Sequence, residues 1–257
     1  MTDETQSVQY HIGLSKQDLE GATLALLPGD PGRVEALAAA LGESRGLSFH
    51  REYKSALISF GTMRVLVMST GMGGPSVAIG VEELARLGVR NFIRVGTTGA
   101  IQPFVALGDL IVNEAAVRLD GTSTHYAPLE FPAVADHSLT GALVETAQQL
   151  AIPCHLGIAA SSDTFWPGQE RYDSYTGYVP RRWRGSMAEW RALGVLNYEM
   201  ETAALFTVAR TMNLRAASIC GVVAQRTETE QVASREIYEL AEQRFQQVLQ
   251  RLIRKQA

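Results

Sequence analysis

The chain has 257 residues, 46% hydrophobic and 19% charged, which is enough apolar material for a full core and excludes a disordered chain. A formal net charge of −4 removes the electrostatic footing for general nucleic-acid binding, and no run approaches the roughly 18 apolar residues of a membrane helix. Cys154 and Cys220 are too few for a disulfide framework and lack metal-ligand spacing; with a polar, acidic N-terminus that has no signal-peptide pattern, they predict a cytoplasmic protein.

The first predicted element is a short buried strand over 22–28 (ATLALLP), followed by Gly29-Asp30-Pro31-Gly32 and a helix. Asp30 is placed to cap that helix, Pro31 to open it and Gly42 to end it, with Val34, Leu37, Ala38 and Leu41 on one apolar face. A second strand over 63–70 runs into Gly71-Met72-Gly73-Gly74-Pro75, then a helix that turns Val77, Val81 and Leu84 inward and stops at Gly88. Residues 91–95 (NFIRV) form a third strand, ending on Gly96 and Gly99. Strands are expected over 108–117 and 154–160, with a helix over about 138–151 between them. A short strand over 195–200 leads into an Ala-rich helix, and 214–223 is the last strand. A long amphipathic helix closes the chain, with Ile237, Leu240, Ala241, Phe245, Val248, Leu249, Leu252 and Ile253 on its apolar face. This alternation predicts an α/β fold: a single domain over 1–257 on a mixed, largely parallel twisted sheet, covered by helices on both faces.

In such sheets ligands bind beyond the carboxyl ends of the strands, and four departures from the structural pattern fall there. Arg33 stands in the first turn of a helix, where a cation opposes the dipole while free amides and glycines suit an anion; a solvated arginine beside Asp30 is the plainer alternative. Arg94 interrupts a strand otherwise fit for a core and needs a negative partner, either a phosphate-sized anion or one of the chain's own carboxylates. Two arginines after two strands, each beside glycines, favour phosphate, because guanidinium forks match its oxygens in bidentate fashion. Thr97 and Thr98 add hydroxyl donors.

Glu199 and Glu201 lie two apart at a strand-to-helix junction and point the same way if extended. Sugar hydroxyls would supply the donors they need; alternatively they are acids placed to suit a helix N-terminus. Residues 161–175 (SSDTFWPGQERYDSY) are too polar and aromatic for core throughout. Phe165 can stack on a flat base, Gln169 offers a donor and an acceptor, and Arg171 a cation, unless the stretch is an ordinary surface loop. Residues 71–76 fit a dinucleotide fingerprint poorly, since Ser76 replaces the third glycine and no acid follows the next strand.

The segments HIGLSKQDLEGATLALLPGDPGRV, HREY, STGMGGPS, RVGTTGAIQP, VRLDGTSTHYAPLEFPAVAD, ASSDTFWPGQERYD, NYEMETAALF and GVVAQRT run in this order from His11 to Thr227. Together they resemble the nucleoside phosphorylase family of the trimeric and hexameric class. The resemblance implies phosphorolysis, with inorganic phosphate as co-substrate and no required cofactor. It implies a phosphate site of Gly29, Arg33, Arg94 and Thr97, completed by Arg51 of the neighbouring subunit. Met200 and Glu201, with Glu199 nearby, would hold the ribose hydroxyls, and His11 of the neighbour would reach the 5′-hydroxyl. Phe165, Gln169 and Arg171 would recognise uracil beside Thr98 and Gly99, with Arg94, Gln169 and Arg171 as the catalytic set.

Purine-cleaving relatives carry an aspartate after the last strand. Ala224-Gln225-Arg226-Thr227 stand here instead, which with Gln169 and Arg171 favours a pyrimidine nucleoside: uridine, and deoxyuridine beside it. The resemblance also implies a dimer-based homo-oligomer, up to a hexamer, and a potassium ion between subunits at Glu52 and Ser76. One departure is the flap, where the family's apolar Ile-Pro contact is replaced by Glu228-Thr229-Glu230-Gln231-Val232-Ala233; lid closure and tolerance of substituted bases therefore do not carry over. The competing readings are a purine phosphorylase or a nucleosidase of the same fold, or a non-catalytic nucleoside-binding homologue. Arg33, Arg51 and Arg94 together argue against water as the attacking group.

Overall fold

A computed structural model of the protein describes residues 7–255. Strand β1 (Leu24–Leu27) is buried on both sides, with Ala25 and Leu27 in one core and Leu24 and Leu26 in the other. Asp30 then accepts a hydrogen bond from Gly32 N and caps a 3-10 turn, Pro31–Arg33, rather than the α-helix itself; α1 (Val34–Leu41) follows directly. Gly42 ends α1 in extended backbone, and its need for glycine is steric: a Cβ there would lie 3.2 Å from Ile58 and Phe60. β2 (Glu43–His50) and β3 (Tyr53–Phe60) form an antiparallel hairpin that the sequence pattern did not announce. β4 (Met63–Met68) leads through the glycine turn to α2 (Gly74–Leu87), which Gly88 terminates in the left-handed region, its N–H bonded to the carbonyls of Ala85 and Leu84.

β5 (Asn91–Ala100) is twice as long as its apolar run, because the glycines expected to end it lie inside it. At Gly96 a Cβ would come within 2.8 Å of the Arg94 guanidinium and 3.1 Å of Cys220 Sγ, so the strand continues only with glycine there. β6 (Leu110–Leu119), β7 (Ala133–Val134), α3 (His137–Gln149), β8 (Cys154–Ser162), α4 (Ser186–Ala192), β9 (Asn197–Glu199) and α5 (Thr202–Thr211) follow. β10 (Arg215–Arg226) outlasts its expected end at 223 and is not the last strand: β11 (Glu230–Val232) folds back on it before α6 (Arg235–Arg254).

The strands share one mixed sheet in the order β11-β10-β6-β8-β9-β5-β1-β4-β3-β2, with β7 on β6. β4, β1, β5 and β10 are mutually parallel neighbours, as are β6, β8 and β9. Because β10 pairs with β5 as well as β6, strands β5, β9, β8, β6 and β10 close into a ring. A buried polar chain crosses the ring: Asn113 Nδ2 donates to Asn197 Oδ1 (2.9 Å), Asn197 Nδ2 to Thr98 Oγ1 (2.8 Å), and Thr98 Oγ1 to the Tyr198 carbonyl (2.7 Å). Such a chain is stable only because each member is paired. One face of the sheet packs on α2 and α5, the other on α1, α3 and α6, so helices cover both sides. Among the described residues no helix is long and apolar enough to cross a membrane.

Candidate active site

Glycine turns after β1 and β4 meet at the carboxyl edge of the sheet, where a Cβ on Gly29 would sit 3.2 Å from the Gly71 carbonyl. They open a cavity of about 650 Å³ that runs along β5 to the segment after β8. Gly29, Arg33, Arg94, Thr97, Thr98, Gly99, Phe165, Gln169, Arg171, Glu199, Met200 and Glu201 all line it. His11, Arg51, Glu52 and Ser76 do not.

At one end, Arg33 Nε donates to Glu242 Oε1 at 2.8 Å, and its guanidinium lies over the Phe245 ring, 5.2 Å from the centroid. Nη1 reaches the Val95 carbonyl only at 3.5 Å, and Nη2 is buried without a partner. The arginine is thus not a solvated surface group.

Arg94 occupies the middle. The pleat that sends Phe92 into the α2/α5 core sends Arg94 the same way, toward the start of α5 and the two carboxylates. Nη2 lies 2.6 Å from Glu201 Oε2, and Nε lies 3.0 Å from Glu199 Oε2, though out of line for a hydrogen bond. Glu199 also accepts from the Glu201 and Thr202 amides (2.9 and 2.8 Å) and from Ser161 Oγ; Glu201 Oε1 accepts from Gly73 N at 2.7 Å. Two open questions in the sequence therefore answer each other, since the buried cation and the paired acids are partners and Glu199 caps the α5 amides. Burial works against the Arg94 charge, but Glu201 and Glu199 more than offset it and raise its pKa. Burial pushes the Glu201 carboxyl up against the pull of Arg94, with the Glu199 charge adding to the rise.

At the other end, Phe165 stacks under Arg171, 4.2 Å from guanidinium carbon to ring centroid, and Gln169 is buried in the 3-10 turn Pro167–Gln169. This is no ordinary surface loop. A Cβ on Gly168 would overlap Ser162 Oγ and Thr164 Oγ1, while the Glu170 carboxylate ties the segment to the Gly185 and Met187 amides. Arg226 Nη2 donates to the Gln169 carbonyl at 2.8 Å, and burial together with the neighbouring Arg171 charge lowers its pKa.

Four participants were not legible beforehand. Glu230 of the flap contacts Arg171 Nη1 and lies 3.9 Å from Arg226 Nε; Val232, opposite Ala224 in the β10–β11 pair, supplies an apolar lining to the flap. Tyr238 and Glu242 approach from α6. Glu230 meets Arg171 across 59 positions and Glu242 meets Arg33 across 209, and no local pattern marks either meeting.

Of the residues away from the cavity, His11 Nδ1 pairs with Glu83 at 2.6 Å and the Arg51 guanidinium lies 5.6 Å from the Tyr10 ring centroid. Glu52 and Ser76 border Gly71 together: a Cβ there would lie 3.0 Å from Glu52 Cγ and 3.5 Å from Ser76 Oγ.

A family profile described as the phosphorylase superfamily matches residues 23–254. Proteins named uridine phosphorylase from Salmonella typhimurium and Escherichia coli are each 54% identical to this chain over 226 residues, 88% of it and 89% of their own length. A guanosine phosphorylase from Halorubrum lacusprofundi is 36% identical over 214 residues, 83% of this chain and 82% of its own.

Proposed function

The chain belongs to the phosphorylase superfamily, and from that premise we propose that it cleaves uridine, and with it deoxyuridine, using inorganic phosphate, as a pentosyltransferase of pyrimidine nucleoside salvage. One observation carries the reading: a single cavity holds glycine turns and Arg33 at one end, Arg94 between paired carboxylates in the middle, and an aromatic–glutamine–arginine wall at the other. These match phosphate, ribose and pyrimidine in the order in which a nucleoside and its attacking anion must lie.

In the proposed reaction a phosphate oxygen bonds to ribose C1′ as the bond from C1′ to uracil N1 breaks. The products are ribose 1-phosphate and uracil, whose leaving electron pair takes up a proton. The transition state resembles an oxocarbenium ion, so positioning and electrostatics dominate. Arg33 and Arg94 align phosphate and hold its charge beside the developing positive ribose. Glu201 and Met200 hold the sugar, with Glu199 fixing the α5 amides behind them. Gln169 and Arg171 stabilise charge gathering on the uracil oxygens, a type of contact whose loss slows such reactions roughly 10²–10³-fold. Phosphate is already an anion at neutral pH, so no general base is required.

We further propose that the working unit is a dimer-based homo-oligomer, up to a hexamer, in which His11 and Arg51 serve the neighbour's cavity. Support comes from the exposed side chains of Tyr10, which packs on Arg51, and of Phe49, two residues before it, apolar surface suited to burial. A potassium ion between subunits is proposed at Glu52 and Ser76, whose side chains both border Gly71. The free thiols of Cys154 and Cys220 agree with a cytoplasmic location.

Uracil release from uridine should depend on added phosphate. Protein exchanged into phosphate-free buffer and assayed chromatographically before and after addition decides it; equal rates would mean hydrolysis. Uridine should also exceed inosine and adenosine in kcat/KM, because a purine leaves buried donors at Gln169 and Arg171 unmet at about 1–3 kcal/mol each. Inosine cleaved as well as uridine would overturn the base-site assignment.

A further inference from the structure

We infer that Glu242, on the closing helix, is the positioning residue that aims Arg33 at phosphate; this rests on the phosphorolysis reading. The two residues are 209 positions apart and meet because α6 returns beside the turn after β1. Tyr238, Glu242 and Phe245 stand at i, i+4 and i+7 on α6 and so form one stripe. That stripe is a mount for the Arg33 guanidinium. Glu242 takes the Nε proton at 2.8 Å and fixes the rotation of the fork, while the Phe245 ring at 5.2 Å supports its plane. Tyr238 lines the cavity beside them, its phenol pushed up by burial.

With Nε occupied and Nη1 distant from its carbonyl, Nη2 is left buried and unpartnered on a residue that lines the cavity. A buried donor without a partner is rare in a native protein, so the Arg33 fork keeps unused hydrogen-bonding capacity on a residue that lines the cavity. An unheld arginine would lose its rotamer freedom on binding the anion; Glu242 removes that freedom during folding instead. The carboxylate has an opposing effect as well, since its negative charge repels phosphate. Conservative substitution separates the two: glutamine keeps an acceptor oxygen and drops the charge, whereas alanine and methionine remove the acceptor, methionine at nearly unchanged volume.

Steady-state kinetics with phosphate and uridine varied in turn test this on wild type, Glu242→Gln, Glu242→Ala, Glu242→Met, Arg33→Ala and the Arg33→Ala/Glu242→Ala pair, with melting curves for each. Glu242→Ala and Glu242→Met should raise the KM for phosphate about tenfold or more and that for uridine less than about twofold, as expected for loss of one hydrogen bond to a charged group. Glu242→Gln should return the phosphate KM to within about threefold of wild type or below it, and Glu242→Ala should add nothing on top of Arg33→Ala. An unchanged or lowered phosphate KM in both acceptor-free variants, a parallel rise in both KM values, or additive effects in the double variant overturns the inference. Wild type alone tests the underlying reading, because a rate that ignores phosphate there ends it before any variant is compared.

Discussion

Replacing Arg94 by methionine is expected to lower kcat/KM for uridine by more than about a thousandfold and to remove about 3–5 kcal/mol of folding stability. The size of both effects follows from the position of the guanidinium between Glu199 and Glu201, all three side chains being less than a tenth exposed. Methionine fills the volume but leaves two buried carboxylates facing each other without a cation. Glu199 keeps Ser161 and two amides, whereas Glu201, whose carboxyl is already pushed up by burial, keeps the Gly73 amide and the adjacent Met200 backbone. Glu201 is therefore the group that must take a proton or unfold the site. Adding Glu201→Gln to Arg94→Met should recover part of the stability, read by urea titration of the circular dichroism, and none of the activity, read by uracil release. A single variant as stable as wild type would show that the ion pairs contribute nothing net. A double variant that regains activity would reduce Arg94 to a structural counter-ion.

Co-expression of Arg51→Ala with Arg171→Ala should restore activity that neither variant has alone. Arg51 lies outside the cavity of its own chain, over Tyr10, while Arg171 lies inside it against Phe165. If each cavity takes its Arg51 from the neighbour, a mixed dimer contains one cavity with both arginines and one with neither. Loss of a charge partner from a desolvated contact costs about 2–5 kcal/mol, so each parent should be nearly silent. Purified mixed dimers should then approach half the wild-type rate per dimer. Mixed dimers as inactive as the parents would mean that Arg51 serves its own subunit or no cavity.

The parts of the fold legible in the sequence were those with local punctuation. β1, α1, β4 and α2 carry apolar runs bounded by Asp30, Pro31, the Gly71–Gly74 turn and Gly88, and each forms close to its expected place. β2 was not legible because it is polar and mostly exposed, so no alternation marks it. β5 misled in the opposite sense, since Gly96, a residue type that usually ends a strand, is required inside it by the guanidinium and thiol that crowd it. In the site, Arg94 stood out inside an apolar strand, Arg33 in the first turn of a helix, Glu199 and Glu201 as paired acids, and Gln169 and Arg171 in a polar, aromatic segment, so each could be named singly. Their pairing could not, because Arg94 and Glu201 are joined only by the return of β9 beside β5. Glu230 and Glu242 lie in segments whose acidity looks like ordinary solvated surface, and only the register of β11 and the path of α6 bring them to arginines.

The closed ring of strands bears on how the protein survives at high concentration. A strand paired on both sides offers no free backbone donors to another molecule, and ring closure gives β5, β6, β8, β9 and β10 two neighbours each. The exposed ends of the ladder are β11 and β2. β11 has three residues, all exposed and led by Glu230. β2 is long, but it carries Glu43 and Arg45 at its start and a register shift between Gly46 and Phe49. Charge, brevity and a bulge are the features that keep an edge strand from recruiting a stranger's edge. Once folded, the chain therefore keeps its long apolar strands out of reach of intermolecular pairing through the same closure that shapes the cavity.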